Sequence, residues 1–179
     1  THNGEIGIGG ANYGTSGQVL TSQGSGSAVQ WATPSGGGLS MADQWRLTSG
    51  QTIAAQDVLL TAWERPDTSG TGGGAYVGGG MSNSSGTFSF PTTGIYLITF
   101  EACANGTNNT RYSEIDIVVT KNNSSYVEVS RSFFYYNRPT GTSTGASCSC
   151  SFIMDVDNIS NDKVRFESSQ DNVGQHQIL

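Results

Sequence analysis

The amino-acid sequence predicts an all-β sandwich, and three observations carry that expectation. From Gln44 onward, apolar residues recur with period two in short runs bounded by Gly, Pro, Asn and Asp. No stretch of useful length places apolar residues at i, i+3, i+4 and i+7, the stripe an amphipathic helix needs. The composition is small and turn-forming, with 25 Gly, 24 Ser and 19 Thr in 179 residues, and only 12% of residues are charged. That is about half the usual share, so the surface is built from Ser, Thr, Asn and Gly rather than from ion pairs.

In chain order, residues 1–40 come first. They hold a glycine at 7, 9, 10, 14, 17, 24 and 26 and the run Gly36-Gly37-Gly38. A segment so poor in large apolar residues predicts a flexible linker, or strand stabilised only by neighbouring chains. Strands are expected near Trp45–Thr48, Val58–Trp63, Thr87–Phe90, Ile95–Cys103, Tyr112–Thr120, Tyr126–Tyr135, Ala146–Asp155 and Lys163–Glu167. The sharpest alternation, Glu114-Ile115-Asp116-Ile117-Val118-Val119, predicts a half-buried antiparallel strand with Ile115, Ile117 and Val119 inward and Glu114 and Asp116 on a solvated face. Asn122-Asn123-Ser124-Ser125 fits a hairpin connection, and Asp157–Asp162 a turn before the last clear strand. Of the 14 Phe and Tyr, 12 follow Met81, which predicts a core assembled mainly from the C-terminal half.

Charge and cysteine usage exclude several classes of function. A net charge of -6 leaves no basic patch for phosphate, which argues against nucleic acid and anionic membrane. No apolar run approaches the roughly 18 residues of a membrane span. The chain opens on Thr1-His2-Asn3 without a basic-then-apolar leader and reads as a processed product or a segment of something longer. Cys103, Cys148 and Cys150 are odd in number, a poor disulfide framework, and are expected to be buried free thiols.

Chemistry-bearing motifs are sparse. Glu114 and Asp116 are candidates for a carboxylate pair of a polysaccharide depolymerase, but exposed acids alternating on a strand are usually a solvated face. His2 and His176 lie near the two ends, poor places for a general base. Asp155-Val156-Asp157-Asn158 has the look of a calcium loop, but Ser160 stands where that loop needs glycine and Phe166 where it needs glutamate. A polar turn is expected there. No metal, no cofactor and no catalytic residue is assigned.

One segment resembles a known family. In Gly86–Phe100, the residues Phe88, Pro91, Gly94, Tyr96 and Phe100 stand at the spacing F-x-x-P-x-x-G-x-Y-x-x-x-F, and Phe90 lies inside it. This resembles the signature of complement globular heads and tumour-necrosis-factor-like jelly rolls. Asn161-Asp162-Lys163-Val164 is similar to that family's G-D-x-V before a late strand, through Asp162 and Val164. Physically, Pro91 and Gly94 make a corner, and Tyr96, Ile98 and Phe100 fill one face. Further, Ala42-Asp43-Gln44-Trp45-Arg46-Leu47-Thr48 with Trp63-Glu64-Arg65-Pro66-Asp67 is similar to the opening of globular-head domains in fibre proteins of marine bacteriophages. Tyr13-Gly14-Thr15-Ser16-Gly17-Gln18-Val19-Leu20-Thr21-Ser22 through Trp31 resembles an element repeated in phage tail-fibre shafts, present here once.

The resemblance implies a fibre shaft or linker over residues 1–40 and a homotrimeric jelly-roll head over 41–179. The family closes its sandwich with a strand after the G-D-x-V strand. This chain stops at His176-Gln177-Ile178-Leu179, so that closing strand is expected to be absent. The function implied is that of a non-enzymatic structural protein of the virion, made in the host cytoplasm. Its partners would be its own copies, other tail proteins through the N-terminal side, and a host-surface glycan or protein. The alternatives are a globular-head lectin of a cellular organism and a fibre-borne depolymerase. Receptor contact is expected at Tyr135, Tyr136, Asn137 and Arg138, where Pro139 and Gly141 force a turn after two aromatics. Adjacent strand residues take opposite faces, so one tyrosine must point outward as a sugar platform beside planar polar groups. The competing expectation is that both tyrosines pack at the trimer seam.

Overall fold

The period-two runs form strands throughout. The structure is a computed structural model that describes residues 6–8, 10, 12–34, 38–66, 76–108, 112–136, 144–170 and 174–178, and these contain no helix. Among the described residues the chain forms β1 (Val19–Thr21), β2 (Gln30–Ala32), β3 (Arg46–Leu47), β4 (Gln51–Ile53), β5 (Val58–Leu59), β6 (Trp63–Glu64), β7 (Ser82–Ser84), β8 (Thr87–Ser89), β9 (Gly94–Asn108), β10 (Tyr112–Thr120), β11 (Val127–Tyr135), β12 (Thr144–Val156), β13 (Lys163–Gln170) and β14 (Gly174–Ile178). Two compact units result, Thr1–Leu39 and Ser40–Leu179.

In the first unit β1 and β2 pair antiparallel, with Leu20 opposite Trp31. The Trp31 indole N–H donates to the Asn12 carbonyl at 3.1 Å, and Gln18 Oε1 accepts from the Thr15 amide at 2.8 Å. The two halves of the shaft-like element therefore meet in one chain. This corrects the expectation of strand held only by neighbouring chains.

In the second unit two larger sheets enclose the core as a β-sandwich. One has the order β11-β10-β13-β8-β7 with β5 added on β13, and the other the order β12-β9-β14-β4. From the four-stranded sheet Ile53, Ile98, Phe100, Ala102, Ala104, Cys150, Met154, Val156 and Ile178 point inward. They meet Phe88, Ile115, Ile117, Val119, Phe134 and Val164 of the six-stranded one. The motif residues Phe88, Phe90, Phe100, Asp162 and Val164 are all buried, and Tyr96 packs on Phe90 with ring centroids 4.7 Å apart. The chain bends over Pro91–Thr93, and Gly94 follows with φ 147°.

The core is drawn mainly from the C-terminal half, as expected, and the earlier part of the chain adds the fully buried Ile53 and Leu60 and the edges of Trp45 and Trp63, set on Phe88 at 5.3 and 5.6 Å. Other expectations change. The single strand expected over Val58–Trp63 is two, because Leu60 leaves β5 to bond Phe166 and Trp63 turns to pair β6 with β3. Strands of Ser, Thr, Gln and Gly carry little hydrophobic alternation, so β4 and β7 give no local signal, and β14 is a strand after β13 where a closing strand was expected to be absent. β14 lies between β9 and β4, with Ile178 buried opposite Ala104 of β9 and Gln51 of β4. All three cysteines are free, and Cys150 is buried, but Cys103 is exposed on the outward face of β9.

Candidate receptor-contact surface

The candidate surface is the outward face of β10 and β11. Alternation places Tyr112, Glu114 and Asp116 on that face of β10. Antiparallel register sets them opposite Tyr135, Phe133 and Arg131 of β11. On its other side β10 pairs with β13, bringing Glu114 against Ser169 and Asp116 against Glu167.

Glu114 and Asp116 do not form a solvated face, which corrects the half-buried strand. Both are buried, as are all residues from Ser113 to Thr120. The reason lies across the sheet. Arg131 donates through Nε to Asp116 Oδ1 at 2.8 Å, lies 3.4 Å from Glu114 Oε2, and also bonds Glu128, so its side chain covers both acids. Asp116 Oδ2 is buried without a hydrogen-bond partner among the described residues. Burial pushes the Asp116 carboxyl up to about 6 despite Arg131, and it raises Glu114 and Glu167 as well, with the Asp57 and Asp116 charges adding to Glu167. Asp57 joins the group by donating its amide to Ser169 Oγ at 2.7 Å.

Beside this charged patch lie three aromatic rings. Tyr112, Phe133 and Tyr135 have centroid separations of 6.0, 6.3 and 6.1 Å, so each ring touches the other two. The Arg131 guanidinium lies 5.9 Å from the Phe133 ring centre. Tyr135 is 73% exposed and Phe133 40%. Tyr136 turns inward, 8% exposed, and stacks on Phe134 at 6.5 Å. Of the expected contact residues, Tyr135 therefore presents itself at the surface and Tyr136 does not. Asn137 and Arg138 lie outside the described residues. Sequence reasoning missed Tyr112 and Phe133, because their approach to Tyr135 depends on β10–β11 register.

The calcium-like loop is a polar turn. Its Asp162 Oδ2 accepts from the amides of Asp157 and Asn158 at 3.0 and 3.2 Å and from Lys121 Nζ at 2.6 Å.

No protein-family model matches the chain, and no curated protein matches it.

Proposed function

We propose that the chain is a non-enzymatic subunit of a virion fibre, a homotrimer whose jelly-roll head serves attachment to a host surface. The observation that carries this reading is the outward face of the four-stranded sheet. Ile95, Leu97 and Ile153 are 69, 71 and 65% exposed there, and Leu97 and Ile153 are direct cross-strand partners. Adjacent large apolar side chains on a flat sheet face mark an association surface. A further copy of the same chain is the natural occupant, since an apolar face needs no charge partner and copies can close on it in a ring about a threefold axis. The strand orders of the two sheets support the jelly-roll reading. In the first unit, Tyr13, Val19, Leu20 and Val29 are also exposed, as expected of a shaft segment wound with its copies. Because the seam is assigned to the four-stranded sheet, the β10–β11 face on the far side of the sandwich stays free for a receptor.

The test is light scattering on the chain and on a Leu97→Asp, Ile153→Asp variant, with labelled protein scored for binding to a panel of marine bacterial isolates. A trimer that the double substitution converts to folded monomer, and cell binding by the parent chain, are expected. A parent chain that is monomeric at micromolar concentration overturns the fibre reading, and a trimer that binds no isolate overturns the attachment role.

A further inference from the structure

We propose that Tyr112, Phe133 and Tyr135, with Arg131 and Glu128 at their margin, form a platform for an uncharged saccharide; the assignment rests on the attachment reading and names its receptor class. Two of these rings are open to solvent on an antiparallel strand pair whose register already brings the three together, so that little ordering is left for a ligand to impose. Their separations near 6 Å decide the shape of ligand that fits. Rings in mutual contact leave no hollow between them, which disfavours a caged quaternary ammonium group and leaves a stepped outer surface. Such a surface suits a flat, mostly C–H face, and a pyranose presents one, with its hydroxyls directed to the rim.

The rim supplies planar hydrogen-bonding groups. Arg131 and Glu128 side chains are 35 and 43% exposed and bonded to each other, so the pair is held in place at the edge of Phe133. A guanidinium and a carboxylate side by side offer donors and acceptors to vicinal hydroxyls.

Charge then selects among saccharides. Arg131 is already engaged by Asp116, Glu114 and Glu128, three carboxylates against one cation, and Glu167 and Asp57 lie behind them. Among the described residues the five carboxylates of this face, Asp57, Glu114, Asp116, Glu128 and Glu167, outnumber its cations, Arg131 and, farther along β13, Arg165 and Lys163, so a sulfate, phosphate or sialyl carboxylate would meet an excess of negative charge. The occupant is therefore a neutral hexose-type glycan.

The test uses the whole chain against immobilised neutral hexose oligomers and the same backbones sulfated. Binding of at least one neutral member is expected, unchanged in 0.5 M salt, and stronger than for its sulfated counterpart. Tyr135→Ala is expected to weaken it by about tenfold or more, while Tyr135→Phe keeps it. Failure to bind any neutral member, preference for sulfated ones, or indifference to Tyr135→Ala overturns the proposal, as does loss of the trimer in Tyr135→Ala, which would give this face to a second copy. If the parent chain binds bacterial cells and Tyr135→Ala binds them equally, the platform fails and attachment stands. If the parent chain binds no cell, attachment itself fails.

Discussion

Asp116 of β10 and Glu167 of β13 are direct cross-strand partners, two carboxylates face to face on adjacent strands, with Asp116 the more deeply buried. Like charges so placed disfavour the doubly ionised sheet. Asp116 is also faced by Glu114 on its own strand, by Arg131 and Glu128 from β11, and Glu167 by Asp57 and Arg165. Its carboxyl titrates near 6 in the folded chain and near 3.8 in the unfolded one. Between those values the folded state binds the extra proton, so stability falls as pH rises. The thermal midpoint is expected to increase as pH is lowered from 7 to about 5. Below about 4 it should drop, as Asp43 and Asp162 are protonated; burial alone would raise these two, but their hydrogen bonds outweigh it and hold both below the usual range. Asp116→Asn keeps an acceptor for Arg131 and is expected to flatten the acid-side rise, adding up to about 3 kcal/mol at pH 7. Melting curves from pH 4 to 8 check this, and a midpoint that falls steadily from pH 7 downward refutes it.

Arg65 and Asp43 hold the start of the Ser40–Leu179 unit together. The Arg65 guanidinium lies 4.4 Å from the Trp45 ring centre and 4.7 Å from that of Tyr76, and closes on Asp43 at 3.0 and 2.9 Å. Asp43 Oδ2 also accepts from the Met81 amide at 2.6 Å. Arg65→Ala would leave a buried carboxylate without its cation, and a loss of about 3 kcal/mol is expected. Arg65→Lys should recover only part of it, since an ammonium cannot form the two-pronged contact or stack between rings. Denaturant titration of the three proteins decides, and full rescue by lysine would show that charge alone matters.

Those same residues show how far the sequence could be read. The segments Ala42–Thr48 and Trp63–Asp67 stand out in the sequence only by resemblance and carry no sign of their pairing, which the structure makes through the β3–β6 ladder and the Arg65–Asp43 contact. The strands β10, β11 and β12 were legible because Ile115, Ile117, Phe134 and Met154 alternate with polar residues, and β10 was read to its ends. Strand β7, Ser82-Asn83-Ser84, has no apolar residue to signal it and is fixed only by pairing with β8. At the candidate surface, the alternation rule required that one of Tyr135 and Tyr136 face outward, and the structure makes it Tyr135. Its neighbours Tyr112 and Phe133, and the burial of Glu114 and Asp116, depend on a cross-strand register that no local pattern encodes.

The thiols should separate by reactivity. Burial pushes Cys150 up to about 11 and raises Cys148 to a lesser degree, so little thiolate forms at either near neutral pH. Cys103 stands exposed on the outward face of β9. In the Leu97→Asp, Ile153→Asp variant, which is expected to remove the proposed self-association, one thiol is expected to label quickly and two slowly, with Cys103→Ser abolishing the fast phase. Cys150→Ser should cost about 1–3 kcal/mol, as a more strongly hydrated and shorter hydroxyl replaces a buried thiol whose sulfur lies 4.0 Å from the Ile115 carbonyl. Two fast thiols would mean that the inward face of β12 opens to solvent.

The N-terminal unit turns on Gly14. Its φ is 71°, and a Cβ there would lie 2.9 Å from the Trp31 ring and 3.1 Å from Gln18 Oε1. Any other residue meets two penalties at once, the left-handed backbone at about 1–2 kcal/mol and a clash with a ring that is itself tied to Asn12. The hairpin β1–β2 has few other contacts to absorb that cost, since a lone two-stranded hairpin is marginal in water. Gly14→Ala is therefore expected to release Trp31 and open the hairpin while the sandwich of Ser40–Leu179, a separate compact unit, keeps its fold. The indole N–H resonances report both: that of Trp31 should move to its solvent-exposed position, and that of Trp63, which donates to the Leu60 carbonyl at 2.7 Å, should stay. Protease cleavage across Ser22–Ser27 should accelerate in step. An unshifted Trp31 resonance would show that the ring is held by something other than the Gly14 turn.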